Sequence, residues 1–220
     1  MESAGRVLSV KTDPSSLALG TALGTSLLIR RHFRRRLAPV APKIVKSRVT
    51  GLECAVVPLW YGGVLGIPSI YILTRVLDFA NYASPGARVW ATAAGGLTAA
   101  LALWLFARSH SDLGSLWSVS LQLREQHKLM KSGVYAHVRH PMYASGLLLC
   151  AGIGILAPNW VVNAGVLGAM AALLFVRIPK EEQMMIEEFG EDYQRYKSDV
   201  GGIVPKLKIW PQRRRREEAS

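Results

Sequence analysis

Uncharged, apolar residues come along this chain in blocks, and charge fills the gaps between them. Residues 17–29 form a thirteen-residue uncharged run, extended to fifteen by Ser15 and Ser16. Residues 54–77 carry a single charge, Arg75, near their end, and the nineteen residues 89–107 carry none. Residues 144–176 are thirty-three uncharged residues, interrupted at Ala157-Pro158-Asn159. A membrane-crossing helix needs about 20 mostly apolar residues. The second and third blocks meet that length. The fourth is too long for one crossing, and Pro-Asn is a turn signal. It predicts a tight helical hairpin with arms 144–157 and 160–176, each short or tilted. The first block predicts a further span. Its positive charge follows the apolar run instead of preceding it, which argues against a cleaved signal peptide.

Composition sharpens this picture. Half of the 220 residues are hydrophobic and another 20 are Gly, while charged residues make up 19%, against about 25% in an average soluble domain. Such hydrophobicity excludes a disordered chain, and two cysteines exclude a secreted disulfide scaffold. The net charge of +12 leaves a nucleic-acid binder with a large core, or a membrane protein with basic loops. The position of the charges decides between them. On a five-span arrangement the hairpin places 108–143 and 177–220 on one side, and counting spans backward adds 30–53. Those three segments hold 23 of the 27 Lys and Arg. Short basic loops stay in the cytosol. The expected fold is therefore all-α: a multipass transmembrane protein of about five spans, including the hairpin, with a cytosolic C-terminal catalytic segment. The basic runs at 30–36 and 213–216 read as topology determinants that also attract anionic lipid, so the bilayer is an expected partner and nucleic acid is not. The chain divides into an anchor and basic loop (1–52), two membrane helices (53–107), a core containing the hairpin (108–205) and a basic tail (206–220).

The segments flanking the hairpin hold the candidate chemistry. The first reads Gly133-Val134-Tyr135-Ala136-His137-Val138-Arg139-His140-Pro141-Met142-Tyr143; the second holds Arg177, Lys180, Glu181 and Glu182, then Phe189-Gly190-Glu191-Asp192-Tyr193-Gln194-Arg195-Tyr196. The hairpin brings them together in space as a polar cluster of both charge signs at a membrane boundary. Each residue also has a plainer reading. Arg139 and His140 suit interfacial anchoring, Pro141 suits the first turn of a helix, and Arg177 with Glu181 suits a salt bridge across one helical turn. His137 and His140 have metal-like spacing, but five histidines in the whole chain are too few for a diiron membrane site, and a zinc site lacks an evident third ligand. No glycine-rich dinucleotide fingerprint, P-loop or nucleophile elbow occurs.

Taken in order, Gly133-x-Tyr135-x-x-x-Arg139-His140-Pro141-x-Tyr143, a membrane hairpin, Arg177-x-x-x-Glu181-Glu182 and Phe189-Gly190-x-x-Tyr193-x-x-Tyr196, ending at Pro205, resembles isoprenylcysteine carboxyl methyltransferase. The likeness covers roughly 113–205. Its RHPxY core also resembles phospholipid N-methyltransferases. The resemblance implies a five- to eight-helix membrane enzyme that uses S-adenosylmethionine in a cytosolic pocket closed by the C-terminal segment, while a prenyl chain enters from the bilayer. By position it implies cofactor contacts at His127, Lys128, Leu129 and Met130, at Tyr135, at His140, Pro141, Met142 and Tyr143, and at Glu181. Ser120 falls at another contact position, where a glutamine can occur. Arg177 falls where the family's arginine meets the substrate carboxylate. In a eukaryote the resemblance implies the endoplasmic reticulum membrane.

The chemistry of these residue types is compatible with such roles. A carboxylate is already ionised at neutral pH, with a pKa near ~3.5, so methyl transfer to it needs orientation and exclusion of water more than a base. Arg177 offers a planar donor fork suited to that carboxylate. N-methylation of a lipid amine would have to release a proton, and a neighbouring arginine is unhelpful to an amine. O-methylation of a prenylated cysteine is thus the leading expectation. The alternatives are lipid-amine N-methylation, a sterol-type membrane reductase, and a lipid-binding or scaffold protein without catalysis.

Overall fold

The computed structural model describes residues 9–37, 39, 44–47, 51–83, 87–116, 122–124 and 129–206. Six helices organise them: α1 (Pro14–Leu37), α2 (Gly51–Leu73), α3 (Ala87–Leu113), α4 (Pro141–Leu156), α5 (Trp160–Phe189) and α6 (Glu191–Asp199). Two short strands, β1 (Ile44–Ser47) and β2 (Gln122–Arg124), pair antiparallel and tie the loop after α1 to the loop after α3. The expected helical, multipass architecture is borne out, with this two-stranded ribbon as its one non-helical addition among the described residues. Three helices are long and apolar enough to cross a membrane, Gly51–Leu73, Val89–Leu113 and Trp160–Phe189, and α4 is a shorter apolar helix. The remaining expected span, α1, is a 24-residue helix whose last eight residues include Arg30, Arg31, Arg34, Arg35 and Arg36. Those charges lower its mean apolarity and complement the negative end of its dipole.

The hairpin forms at the expected turn. Asn159 is fully buried; its side chain accepts from the amides of Val161 and Val162, both at 3.1 Å, and caps α5. Its Nδ2 donates to the Leu77 carbonyl at 2.6 Å and to Asn81 Oδ1 at 3.0 Å, which stitches the turn to the segment after α2. Lys11 closes the same end of the bundle with Asp78 at 2.5 Å, its ammonium 3.4 Å from the centroid of the Tyr71 ring.

Small residues let the helices approach closely, as membrane bundles require. A Cβ on Gly152 of α4 would lie 3.0 Å from the Ala99 amide nitrogen of α3. A Cβ on Gly63 of α2 would lie 2.4 Å from the Ala169 Cβ of α5. Gly63 sits in a π-helical turn, Gly62–Gly66, flanked by Pro58 and Pro68 within α2. Leu19, Ile153, Leu156, Val162, Val166 and Met170 fill the interior. Large apolar side chains also face outward: Trp90, Leu97 and Phe175 are 79%, 74% and 82% exposed. In a membrane helix this is the lipid-facing side; on a soluble monomer so much exposed apolar surface would be a liability.

One difference from the sequence expectation matters for the site. The second hairpin arm does not end at Val176. Helix α5 continues through Pro179 to Phe189, and Gly190 stops it with φ +53°. The apolar run ends at 176, but Lys, Glu, Gln and Met beyond it are good helix formers. Arg177, Glu181 and Glu182 therefore ride on the same rod as the membrane arm.

Candidate active site

Upstream of α4 the chain is shaped by a 3-10 turn, Gly133–Ala136. Gly133 has φ +60°, and any Cβ there would collide with the Asp112 carboxylate. That carboxylate accepts from the Val134 amide at 2.9 Å and pairs with Arg108 at 2.9 Å, so the turn is docked on the end of α3. His140 then precedes α4, and Pro141 occupies its first turn, where a missing amide donor costs nothing. The segment before α4 is also strapped from the C-terminal side. Arg139 N donates to Gly201 O at 2.8 Å and His140 N to Gly202 O at 2.9 Å. Tyr196 of α6 donates to the Tyr135 carbonyl at 2.5 Å.

Charges bind the two arms. Arg139 reaches Glu182 through Nε at 3.2 Å and Nη2 at 2.6 Å, and its Nη1 donates to the carbonyls of Lys197 and Val200. Lys197 takes the other oxygen of Glu182 at 2.6 Å. His140 lies between the two acids, with Nε2 3.3 Å from Glu182 and Nδ1 3.6 Å from Glu181. Burial works against its charged form, yet hydrogen bonds and attraction from Glu181 and Glu182 raise its pKa overall. The Tyr143 hydroxyl donates to Glu181. Arg177 lies 3.2 Å from Glu181, one turn along α5, and 3.7 Å from Glu53 of α2, whose side chain is 2% exposed. Burial raises the pKa of Tyr135 and pushes that of Tyr196 up to about 12, so both remain neutral hydrogen-bond donors.

These groups border a cavity of about 260 Å³. Its polar end is formed by Tyr135, Arg139, His140, Glu181, Tyr193 and Tyr196; its other end runs between membrane helices along Val64, Ala102, Leu103, Leu149, Met170 and Leu173. Arg30 and Arg177 border it as well. Of the residues singled out from the sequence, Leu129, Met130, Tyr135, His140, Pro141, Met142, Tyr143, Arg177 and Glu181 all line this one cavity. Ser120, His127 and Lys128 lie outside the described residues. Sequence reasoning missed four contributors. Arg30 was absorbed into a basic run. Glu53, Trp60 and Tyr61 carry no assigned role in the sequence reading. A buried acid in an apolar helix is the one signal that could have marked Glu53.

Residues 96–187 match the family model of the isoprenylcysteine carboxyl methyltransferase (ICMT) family. Over 87 residues the chain is 29% identical to protein-S-isoprenylcysteine O-methyltransferase of Schizosaccharomyces pombe, covering 40% of this chain and 37% of that protein. Over 111 residues it is 26% identical to a cobalt-zinc-cadmium resistance protein of Cupriavidus metallidurans, covering 50% of this chain and 51% of the other. The chain spans less than half the length of the first curated relatives it matches, 37% to 46%. Its fold is similar to the solved structure of the eukaryotic intramembrane Ras methyltransferase, isoprenylcysteine carboxyl methyltransferase. The TM-score is 0.57 at 20% identity, over 91% of this chain and 70% of that one. In motif and in sequence, residues 96–187 are thus similar to the isoprenylcysteine carboxyl methyltransferase family, and the fold is similar to that of the intramembrane Ras methyltransferase.

Proposed function

We propose that this protein transfers a methyl group from S-adenosylmethionine to the C-terminal carboxylate of a prenylated cysteine, in a membrane and from its cytosolic side. In a eukaryotic cell that membrane is the endoplasmic reticulum. The observation that carries the reading is the single cavity: a charged end built from both hairpin flanks, continuous with an apolar end between membrane helices. An isoprenoid thioether bearing a carboxylate has that same division.

The residues present suit the methyl donor. Its zwitterionic amino-acid end needs an acid and a donor, and the polar end supplies Glu181 beside a His140 biased towards its protonated form. Its adenine and sulfonium need apolar and aromatic walls, which Tyr135, Tyr143, Leu129 and Met130 provide. When bound, S-adenosylmethionine supplies an electrophilic methyl group on a positively charged sulfur. The work of the chain is then positional. Arg177, with its side chain 11% exposed, holds one carboxylate oxygen and leaves the other directed at the methyl group. Tyr143 fixes Glu181 through its hydroxyl, so the acid that receives the ammonium is held before binding. The strap from Val200 to Gly202 closes the charged end over Arg139 and His140, excluding water where the nucleophile would otherwise be solvated. No side chain is required as a base, because the carboxylate is ionised beforehand.

The test uses the full chain purified in detergent with labelled S-adenosylmethionine and N-acetyl-farnesylcysteine. Methyl transfer to the prenylcysteine is expected. Arg177→Ala is expected to reduce turnover at least a hundredfold while changing S-adenosylmethionine affinity by less than about threefold. Absence of transfer by a chain that binds the donor overturns the substrate assignment. Equal loss of binding and turnover in Arg177→Ala overturns the role of Arg177.

A further inference from the structure

Arg30 occupies an unusual setting for a member of a basic run. Its neighbours in that run, Arg31, Arg35 and Arg36, border a shallow depression on the outer face of α1. Arg30 turns instead into the cavity that holds Arg177. Its guanidinium carbon lies 5.5, 5.4 and 5.4 Å from the ring centroids of Trp60, Tyr61 and Phe106. Three rings from two other helices thus surround one cation, within the roughly 6 Å range of a cation–π contact. Among the described residues no carboxylate forms an ion pair with it. The indole Nε1 of Trp60, also on the cavity wall, is buried and has no acceptor among the described residues. Arg30 donates a hydrogen bond to the neutral Tyr61 hydroxyl, which leaves its charge without an anion among the described residues. Such a cation beside a buried donor with no acceptor is costly unless an anion completes them.

The charge balance at Arg177 points the same way. That guanidinium already serves two carboxylates, Glu53 and Glu181. A third carboxylate arriving from a substrate would share one cation with two fixed anions, and their repulsion would oppose its entry. A second cation facing the same space removes the deficit.

We propose that Arg30, held in its aromatic cage and assisted by Trp60 Nε1–H, is a second binding group for the acceptor carboxylate, opposite Arg177. The pair forms a two-arginine clamp that selects an anionic prenylcysteine over its neutral derivatives. This rests on the carboxyl-methylation reading above. In this clamp α1 is part of the active site, contributing specificity as well as anchoring. Ser26 and Leu27, one turn before Arg30, border the same cavity and extend the α1 wall towards the apolar end.

The experiment measures turnover of N-acetyl-farnesylcysteine by the full chain, and inhibition by its C-terminal amide, which keeps the prenyl group and loses the charge. Arg30→Gln is expected to raise KM for the acid at least tenfold, with kcat and S-adenosylmethionine affinity within about twofold of wild type. Inhibition by the amide is expected to stay unchanged, so the preference for the acid collapses. Arg30→Lys keeps the charge and restores much of the KM; Trp60→Phe keeps the ring and raises KM by about threefold. An unchanged KM in Arg30→Gln overturns the clamp while leaving the proposed function standing. Equal weakening of acid and amide overturns it too, because it marks a packing role. A wild-type chain that methylates no prenylcysteine overturns the functional reading, and this inference with it.

Discussion

Arg139 and Glu182 meet across the two arms of the membrane hairpin, Nη2 to Oε1 at 2.6 Å, with side chains 9% and 14% exposed. Neither residue's sequence neighbourhood reveals the other: they are 43 positions apart. Lys197 of α6 reaches the same carboxylate, so one acid gathers both arms and the C-terminal helix. Arg139→Ala removes the arginine's bonds but leaves Glu182 facing Lys197 and His140. It is expected to lower stability by about 1.5–3 kcal/mol, the range of a hydrogen bond to a charged group, read as a lower unfolding midpoint in detergent. Glu182→Gln, which takes the shared carboxylate from Arg139 and Lys197 at once, is expected to cost more.

The acid that faces the proposed donor end is Glu181. Glu181→Gln is expected to weaken S-adenosylmethionine binding about tenfold, equivalent to about 1.4 kcal/mol, with a smaller effect on KM for the prenylcysteine. Tyr143→Phe frees Glu181 from its hydroxyl partner and is expected to weaken donor binding by a few-fold. Isothermal titration separates the two, and a larger effect from Tyr143→Phe would contradict the assignment.

His140 gives the fold a pH dependence of definite sign. Burial opposes its charge, but Glu181 and Glu182 outweigh burial and raise its pKa in the folded protein. A raised pKa means that the charged form stabilises the fold. That contribution is full below the ordinary histidine pKa of about 6.5 and is lost as pH rises through the raised value. The unfolding midpoint is expected to fall over that interval in the wild type. In His140→Gln the same interval is expected to be flatter.

At the far end of the bundle, Asn159→Ala removes a helix cap and two donor bonds while touching nothing in the cavity. The cap alone is worth about 0.5–2 kcal/mol, and loss of the bond to the Leu77 carbonyl, which keeps the Ala80 amide, adds to it. Asn159→Asp keeps the cap acceptor but sets a buried carboxylate oxygen against the Leu77 carbonyl and Asn81 Oδ1, so it is expected to be at least as destabilising as Asn159→Ala. Turnover per folded molecule is expected to be unchanged in both.

Close approach between α2 and α5 supplies a steric test. Gly63→Ala places a Cβ 2.4 Å from that of Ala169 and 2.9 Å from the Gly165 carbonyl. Overpacking costs about 1–3 kcal/mol, and because the same helices wall the cavity, a loss of acceptor affinity is expected beside the lower melting point. Gly168→Ala, whose new Cβ would have nothing within 4 Å, serves as the control.

Much of this was legible in one dimension because membranes impose simple rules. The hairpin turn follows from thirty-three uncharged residues broken by Pro158-Asn159. The side on which the flanks lie follows from where Lys and Arg collect. The Arg177–Glu181 pair follows from helical spacing alone, and the structure has it at 3.2 Å. Less was legible where a residue's meaning depends on a partner distant in sequence. Arg30 reads as one arginine among five until α2 and α3 bring Trp60, Tyr61 and Phe106 around it. Glu53 has no meaning in the sequence until α5 delivers Arg177 to it. The far end of α5 lies beyond the apolar arm for a different reason: loss of hydrophobicity marks where a helix leaves the apolar medium, not where its hydrogen-bonding ends.

That continuation of α5 past its membrane arm would make the hydrophobic thickness of the bilayer a variable of the proposed chemistry. A stiff rod answers a thinner or thicker hydrocarbon layer by tilting, and α5 carries Arg177 and Glu181 beyond its membrane arm with Pro179 as the one interior break in its hydrogen-bond ladder. His140 and Tyr143 stand on the other arm, at its start. Acyl-chain length alone, with no change in headgroup, would shift one half of the site past the other.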